Sequence, residues 1–100
     1  MPNSNYKAGR RFEYKRKAYY EDQGYSVVRA SGSRGLFDLV CLRADEVPLL
    51  VQCKRVQRPS DARALLKRFH QEPPFPPTRK FRQSMDVHIR GGREVQRIEV

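Results

Sequence analysis

The sequence predicts an α/β fold, one central β-sheet of about five strands flanked by helices, and three observations carry that prediction. Residues 7 to 23 lack proline, are rich in Lys, Arg, Glu and aromatic side chains, and stop at Gly24, the pattern of a helix with a glycine at its C-terminal end. LFDLVCL (36 to 42) and PLLVQCK (48 to 54) are apolar runs of strand length. Beyond Pro59, the segment from Ser60 to His70 places Ala62, Leu65, Leu66 and Phe69 on one side of a second helix.

The remaining elements fall into place between these. YSVVR (25 to 29) reads as a short strand, and SGSRG (31 to 35) as a loop by its Gly and Ser content. The two apolar runs are joined by RADEV and make a hairpin that turns about residue 45. Ser60 is the expected N-cap of the second helix. EPPFPP interrupts all regular structure, and FRQSMDVHI and REVQRIEV, joined through Gly91 and Gly92, form a terminal hairpin. The order is helix, three strands, helix, two strands, without an internal repeat. A chain of 100 residues is expected to be one domain over 1 to 100, with residues 1 to 6 a flexible N-terminus.

Charge narrows the function. There are 21 Lys and Arg against 11 Asp and Glu, a formal charge of +10, which points to a polyanionic partner. The excess is uneven: residues 1 to 35 carry eight basic and three acidic side chains, residues 54 to 82 nine and two, but residues 36 to 53 one and three. A plain nucleic-acid-binding module gains nothing from acid facing phosphate, whereas a nuclease needs it to hold a cation. Asp45 and Glu46 read as solvated turn residues, but Asp38 sits among Leu36, Phe37, Leu39 and Val40. No stretch approaches the roughly 20 apolar residues of a membrane span. Nor does MPNSNYKAGRRFEYKRK offer the apolar middle of a secretion signal. A cytoplasmic protein is therefore expected, with no membrane partner and with Cys41 and Cys53 reduced and buried, since no CxxC pair or nearby His supports a zinc site or a disulfide.

Paired positions in an antiparallel ladder sum to a constant, which is 90 for a turn about residue 45, so Asp38 is expected opposite Gln52 with Lys54 two residues further on the same face. Cys41 and Cys53 then fall on the other face. One carboxylate, one amide oxygen and one ammonium suit a hard cation with a phosphate beside it. The same residues also have ordinary readings. Glu13 could pair with Arg10 or Lys17 along the helix, and Gln52 and Lys54 could be plain strand-end residues. Lys7, Arg10, Arg11, Lys15, Arg16 and Lys17 form a solvated helix face that is also suited to phosphate contacts. His70 and His88 are isolated and read as structural or exposed.

Glu13 in the first helix, Asp38 in the second strand and Gln52-Cys53-Lys54 in the third resemble the Glu, Asp and Glu-x-Lys signature of the archaeal-type Holliday junction resolvases, a branch of the PD-(D/E)XK nucleases. The likeness extends over residues 7 to 55 and includes the GRRFE lead-in and the RASGSRG loop. Phe37 stands where the motif name has Pro, and Gln52 replaces the acidic residue. The resemblance implies a restriction-endonuclease-like core with a mixed central sheet. It also implies Mg²⁺, with Mn²⁺ able to substitute, held by Glu13, Asp38, the Gln52 side chain and the backbone carbonyl of Cys53. Lys54 would act on the attacking water or on phosphorane charge, and Ser33 would join the catalytic group. Lys7, Arg10, Arg11, Lys17, Arg29, Ser31, Arg34 and Arg55 would contact DNA. The implied activity is paired nicking of four-way DNA junctions by a homodimer, in a prokaryotic or virus-infected cell, without a small-molecule substrate. The dimer contact would come from Leu65 and Phe69 or from the terminal hairpin around Val87 and Ile89. A nuclease of the same core acting on other duplex or branched DNA, and a nucleic-acid-binding protein with a decayed site, are the competing expectations.

Overall fold

The computed structural model describes residues 4–30 and 36–100. Helix α1 (Ser4–Asp22) is followed by β1 (Ser26–Arg29), β2 (Leu39–Leu42), β3 (Leu49–Val56), helix α2 (Pro59–Gln71), β4 (Arg82–Ile89) and β5 (Val95–Glu99). The α/β class, the two helices and the five strands are those the sequence predicts. α1 begins at Ser4, inside the stretch expected to be a flexible terminus. It ends in a Schellman motif: Gly24 takes φ +93°, its N–H donates to Glu21 O at 3.0 Å, and the Tyr25 N–H reaches back to Tyr20 O at 3.1 Å. The Tyr20 and Tyr25 rings meet edge to face at 6.0 Å, which closes the motif with an apolar contact.

The strands lie in the order β1-β2-β3-β4-β5, antiparallel except for the parallel pair β3 and β4. A parallel pair needs a long crossover, and α2 supplies it. β2 and β3 pair as Leu39 with Val51, Val40 with Leu50 and Cys41 with Leu49, the predicted constant of 90. Asp45, at the turn, holds a left-handed φ of 65° that Asp tolerates better than most residues.

Period-two alternation gives the sheet two buried faces. One packs Leu39, Cys41, Leu49 and Val51 against Tyr20 of α1 and Tyr25; the other packs Met85 and Val87 with Phe37 against Ala62 and Phe69 of α2. Phe69 and Val87 are buried within the chain, and Leu65 and Ile89 pack against the same cluster. The faces expected to supply a dimer contact are therefore the protein's own core. α2 also starts differently from expectation. Arg58 is the N-cap, in the extended conformation that a residue before proline adopts, and Pro59 opens the first turn, where its missing N–H costs nothing. Ser60 is already inside the helix.

A buried ionic network ties α1 to the sheet. Asp86, in the middle of β4, is 0% exposed and Arg16 only 7%. The Asp86 carboxylate accepts from Arg16 Nε at 2.8 Å, from the Tyr20 hydroxyl at 2.6 Å and from the Ser84 hydroxyl at 2.6 Å. Arg97 of β5 donates to the Tyr20 oxygen at 3.0 Å. Desolvation, and then the charge of Asp86, push the Tyr20 phenol up to about 12. The Arg16 guanidinium lies 3.9 Å over the Tyr19 ring. Arg16 is thus not part of the solvated helix face.

Removing one partner of such a pair strands the other charge in the interior. Asp86→Ala is expected to cost about 3–5 kcal/mol of stability in urea unfolding. Asp86→Leu combined with Arg16→Met should cost clearly less, because no charge is then left buried. A loss below about 1 kcal/mol for the single variant would mean that solvent reaches Arg16.

Candidate active site

Asp38 stands at a break in the β2 ladder. Its N–H donates to Val51 O at 2.8 Å, although Val51 already stands opposite Leu39, so two residues of one strand meet one of the other, as in a β-bulge. The core confirms the break. Phe37 and Leu39 are two residues apart and would share a face in a regular strand, yet Leu39 packs on the α1 side and Phe37 on the α2 side. The bulge re-aims the Asp38 carboxylate, which accepts the backbone N–H of Cys53 at 2.7 Å. The N–H and C=O of one strand residue point to the same side, so the Cys53 carbonyl opens on that gap as well.

Glu13 approaches from α1. Its carboxyl is raised above the ordinary range by desolvation and then by the negative charge of Asp38, against the pull of Arg29. Arg29, the last residue of β1, places Nε 3.3 Å from Glu13 Oε1 and its guanidinium 4.8 Å over the Tyr14 ring. Neither Arg10 nor Lys17 is the partner of Glu13 here; Lys17 pairs instead with Glu21 at 3.0 Å.

Gln52 and Lys54 are placed elsewhere than expected. Because of the bulge, Asp38 does not stand in the ladder opposite Gln52. Gln52 and Lys54 line a cavity of about 260 Å³ under α2, with Leu65, Arg68, Phe69 and Met85 among its walls. No hydrogen bond or ion pair joins them to Asp38 or Glu13 among the described residues. Cys41 is buried and Cys53 partly buried, both packed on the α1 side.

Of the expected DNA contacts, Lys7, Arg10 and Arg11 are exposed on α1, while Arg55 donates to His88 Nδ1 at 3.3 Å. Ser31, Ser33 and Arg34 lie outside the described residues. His88 is structural: its other ring nitrogen meets Gly92 O at 2.7 Å, and its ring lies 5.5 Å from that of Phe12. A cavity of about 320 Å³ opens between α1 and the terminal hairpin, lined by Phe12, Lys15, Arg16, His88 and Arg93.

Among the described residues no group of three or more His, Cys, Asp or Glu side chains converges. The donors at the gap are the Asp38 carboxylate and the Cys53 carbonyl, and the charge of Glu13 acts on both residues. Hard oxygen donors of this kind fit Mg²⁺, which is bound through one or two carboxylates and keeps several waters.

Two participants were missed from the sequence, Asp86 and Arg29 as the partner of Glu13. Asp86 carried a visible signal, an acid within the apolar strand run SMDVHI, the same one that drew attention to Asp38. The pairing of Arg29 with Glu13 had none, because it depends on how α1 lies over β1. No family model matches the chain, and no curated protein is significantly similar to it. No helix among the described residues is long and apolar enough to cross a membrane.

Burial pushes the Cys41 thiol up to about 11. Burial pushes the Cys53 thiol up as well, followed by the charges of Asp86, Asp38 and Glu13. Both thiols should therefore react with an aromatic disulfide reagent at pH 8 much more slowly in the native protein than in denaturant. Asp38→Asn and Glu13→Gln should each speed the reaction of Cys53. Wild-type rates for both variants would show that these carboxylates are not beside it.

Proposed function

We propose that the protein is a Mg²⁺-dependent DNA endonuclease that acts on branched DNA as a homodimer, nicking four-way junctions in pairs. The observation that carries this reading is the bulge at Asp38, which turns a carboxylate out of the ladder onto the Cys53 N–H, with the charge of Glu13 within range, in a chain of formal charge +10. Acid gathered at one point of an otherwise basic surface is what phosphodiester hydrolysis requires and what simple DNA binding does not. The mixed sheet flanked by two helices is compatible with the restriction-endonuclease-like core that the motif resemblance implies.

Asp38 and Glu13 would hold Mg²⁺ together with the Cys53 carbonyl. The bound ion would polarise a phosphate oxygen and lower the pKa of a water. Lys54 is exposed on a flexible four-carbon stem, which gives its ammonium the reach to turn from the α2 side toward a phosphate at the gap. Gln52, partly buried, would supply an amide oxygen or hold its strand. Lys7, Arg10, Arg11 and Lys15 are exposed along α1 and would contact the DNA backbone, which sets affinity without reading sequence.

A four-way junction has two-fold symmetry, and a two-fold dimer presents two identical sites to it. Val28 and Leu42, 57% and 43% exposed, lie on the sheet face that α2 leaves open at β1 and β2, and this face would carry the contact. Val28→Lys should then lower the mass seen by light scattering from dimer to monomer and unpair the nicks.

A second reading is favoured by one observation. Gln52 and Lys54 face away from the carboxylates, as expected of a DNA-binding protein whose nuclease site has decayed. The two are separated by incubating a labelled four-way junction and a linear duplex with the protein, in Mg²⁺ or in EDTA. The nuclease reading expects Mg²⁺-dependent scission that Asp38→Asn abolishes while junction binding stays within a few fold. Lys54→Ala should lose rate with little change in Mg²⁺ dependence. Binding without scission in any Mg²⁺ condition would leave the second reading.

A further inference from the structure

Arg29 occupies a position that a DNA-contacting residue does not need. Its side chain is only 15% exposed and that of Glu13 22%, so the pair is partly buried. The charges are close, with Nε to Oε1 at 3.3 Å. Yet Arg29 Nε is buried without a hydrogen-bond partner among the described residues, so the contact is close but not aligned as a directed bond. The aromatic face of Tyr14, 4.8 Å from the guanidinium, contributes a weak attraction. A partly buried guanidinium whose Nε has no aligned partner among the described residues is held to its carboxylate by charge rather than by a directed bond, and is the more easily drawn away.

Glu13 has the complementary problem. Its side chain is only 22% exposed, the like charge of Asp38 acts on it, and the guanidinium of Arg29 stands 3.3 Å from its Oε1. Arg29 is the cation that this chain provides. We infer that Arg29 is a built-in stand-in for the divalent cation: it neutralises Glu13 in the resting protein and leaves when the metal binds, and its freed guanidinium then takes a DNA phosphate.

This rests on the nuclease reading and adds a consequence to it. Metal and DNA each draw away one member of the Glu13–Arg29 pair. Metal recruits Glu13 and frees Arg29 for phosphate; DNA recruits Arg29 and frees Glu13 for metal. The two ligands therefore bind cooperatively, and the coupling is reciprocal. In the absence of DNA the site holds metal weakly, which keeps the carboxylates neutralised until a substrate arrives. Arg29 is thus a positioning residue that acts through Glu13, as well as a phosphate contact once released. It needs no change in the sheet, only rotation of one long side chain at the end of β1.

The test is calorimetric titration of Ca²⁺ into the protein, alone and with a saturating four-way junction, with junction affinity followed by fluorescence anisotropy at rising Ca²⁺. For the wild type, the junction should tighten Ca²⁺ binding, and Ca²⁺ should tighten junction binding by the same factor, roughly 5-fold or more. Arg29→Gln should bind Ca²⁺ more tightly than wild type without DNA and should lose the coupling. Glu13→Gln should bind the junction more tightly than wild type in metal-free buffer, because Arg29 is released, and should also lose the coupling. Thermal melts of both variants establish that they are folded, and either one alone tests the inference. Metal and junction that both bind, with no coupling and with Arg29→Gln weakening or leaving unchanged the Ca²⁺ affinity, would overturn the stand-in role and leave the nuclease reading intact. No Ca²⁺ binding with or without DNA would overturn both.

Discussion

The rest of this structure depends on the carboxylate of Asp86. It is buried in β4, and it reaches Arg16 and Tyr20 of α1, with Arg97 of β5 closing the network over the Tyr20 oxygen. α1 has few apolar residues with which to grip a sheet, since its sequence is dominated by charge. Phe12, Arg16 and Tyr20 recur every fourth residue and are its buried stripe, and the central member of that stripe is an ion. An ionic contact of this kind is a weak source of net stability, and here it ties one side of α1 to the middle of β4. Fixing Arg16 fixes the rotation of the helix. Glu13, one turn earlier, is thereby turned toward Arg29.

Asp38 is set by a different constraint, the competition between two core faces. Phe37 is claimed by the cluster under α2 and Leu39 by the cluster under α1, and a regular strand cannot satisfy both. The chain resolves the conflict with a bulge, and Asp38 is the residue it re-aims. The Cys53 N–H, left without a backbone acceptor where the ladder stops, is satisfied by the Asp38 carboxylate. The same irregularity that ends the β2–β3 pairing thus makes a polar gap between strands, with a carboxylate and a carbonyl facing it and a second carboxylate above.

Much of the fold was legible because it rests on period and punctuation. Gly24 marked the end of α1, the two apolar runs marked β2 and β3, and the turn about residue 45 gave their register. The site was legible in its residues but not in its geometry. Alternation placed Asp38 beside Gln52 and Lys54, and it failed at the one position where alternation breaks, because the conflict between Phe37 and Leu39 exists only once both helices are docked. For the same reason Arg16 read as a solvated charge: nothing local distinguishes it from Lys15 or Lys17, and its partner Asp86 lies 70 residues away. Apolar surface was visible at Phe69 and Val87, but whether a second copy or the chain itself covers it is a tertiary fact.

The central claim is that Glu13 and Asp38 form one cation site at the bulge. Paramagnetic broadening of backbone amide signals by substoichiometric Mn²⁺ tests it most directly, since broadening falls off steeply with distance from the bound ion and is independent of any assay for cleavage. Loss of signal centred on Asp38, Leu39, Cys53 and Glu13, and abolished by Asp38→Asn, is the predicted result. Broadening centred on the exposed Asp45 and Glu46 turn instead, or a pattern unchanged by Asp38→Asn, would contradict it.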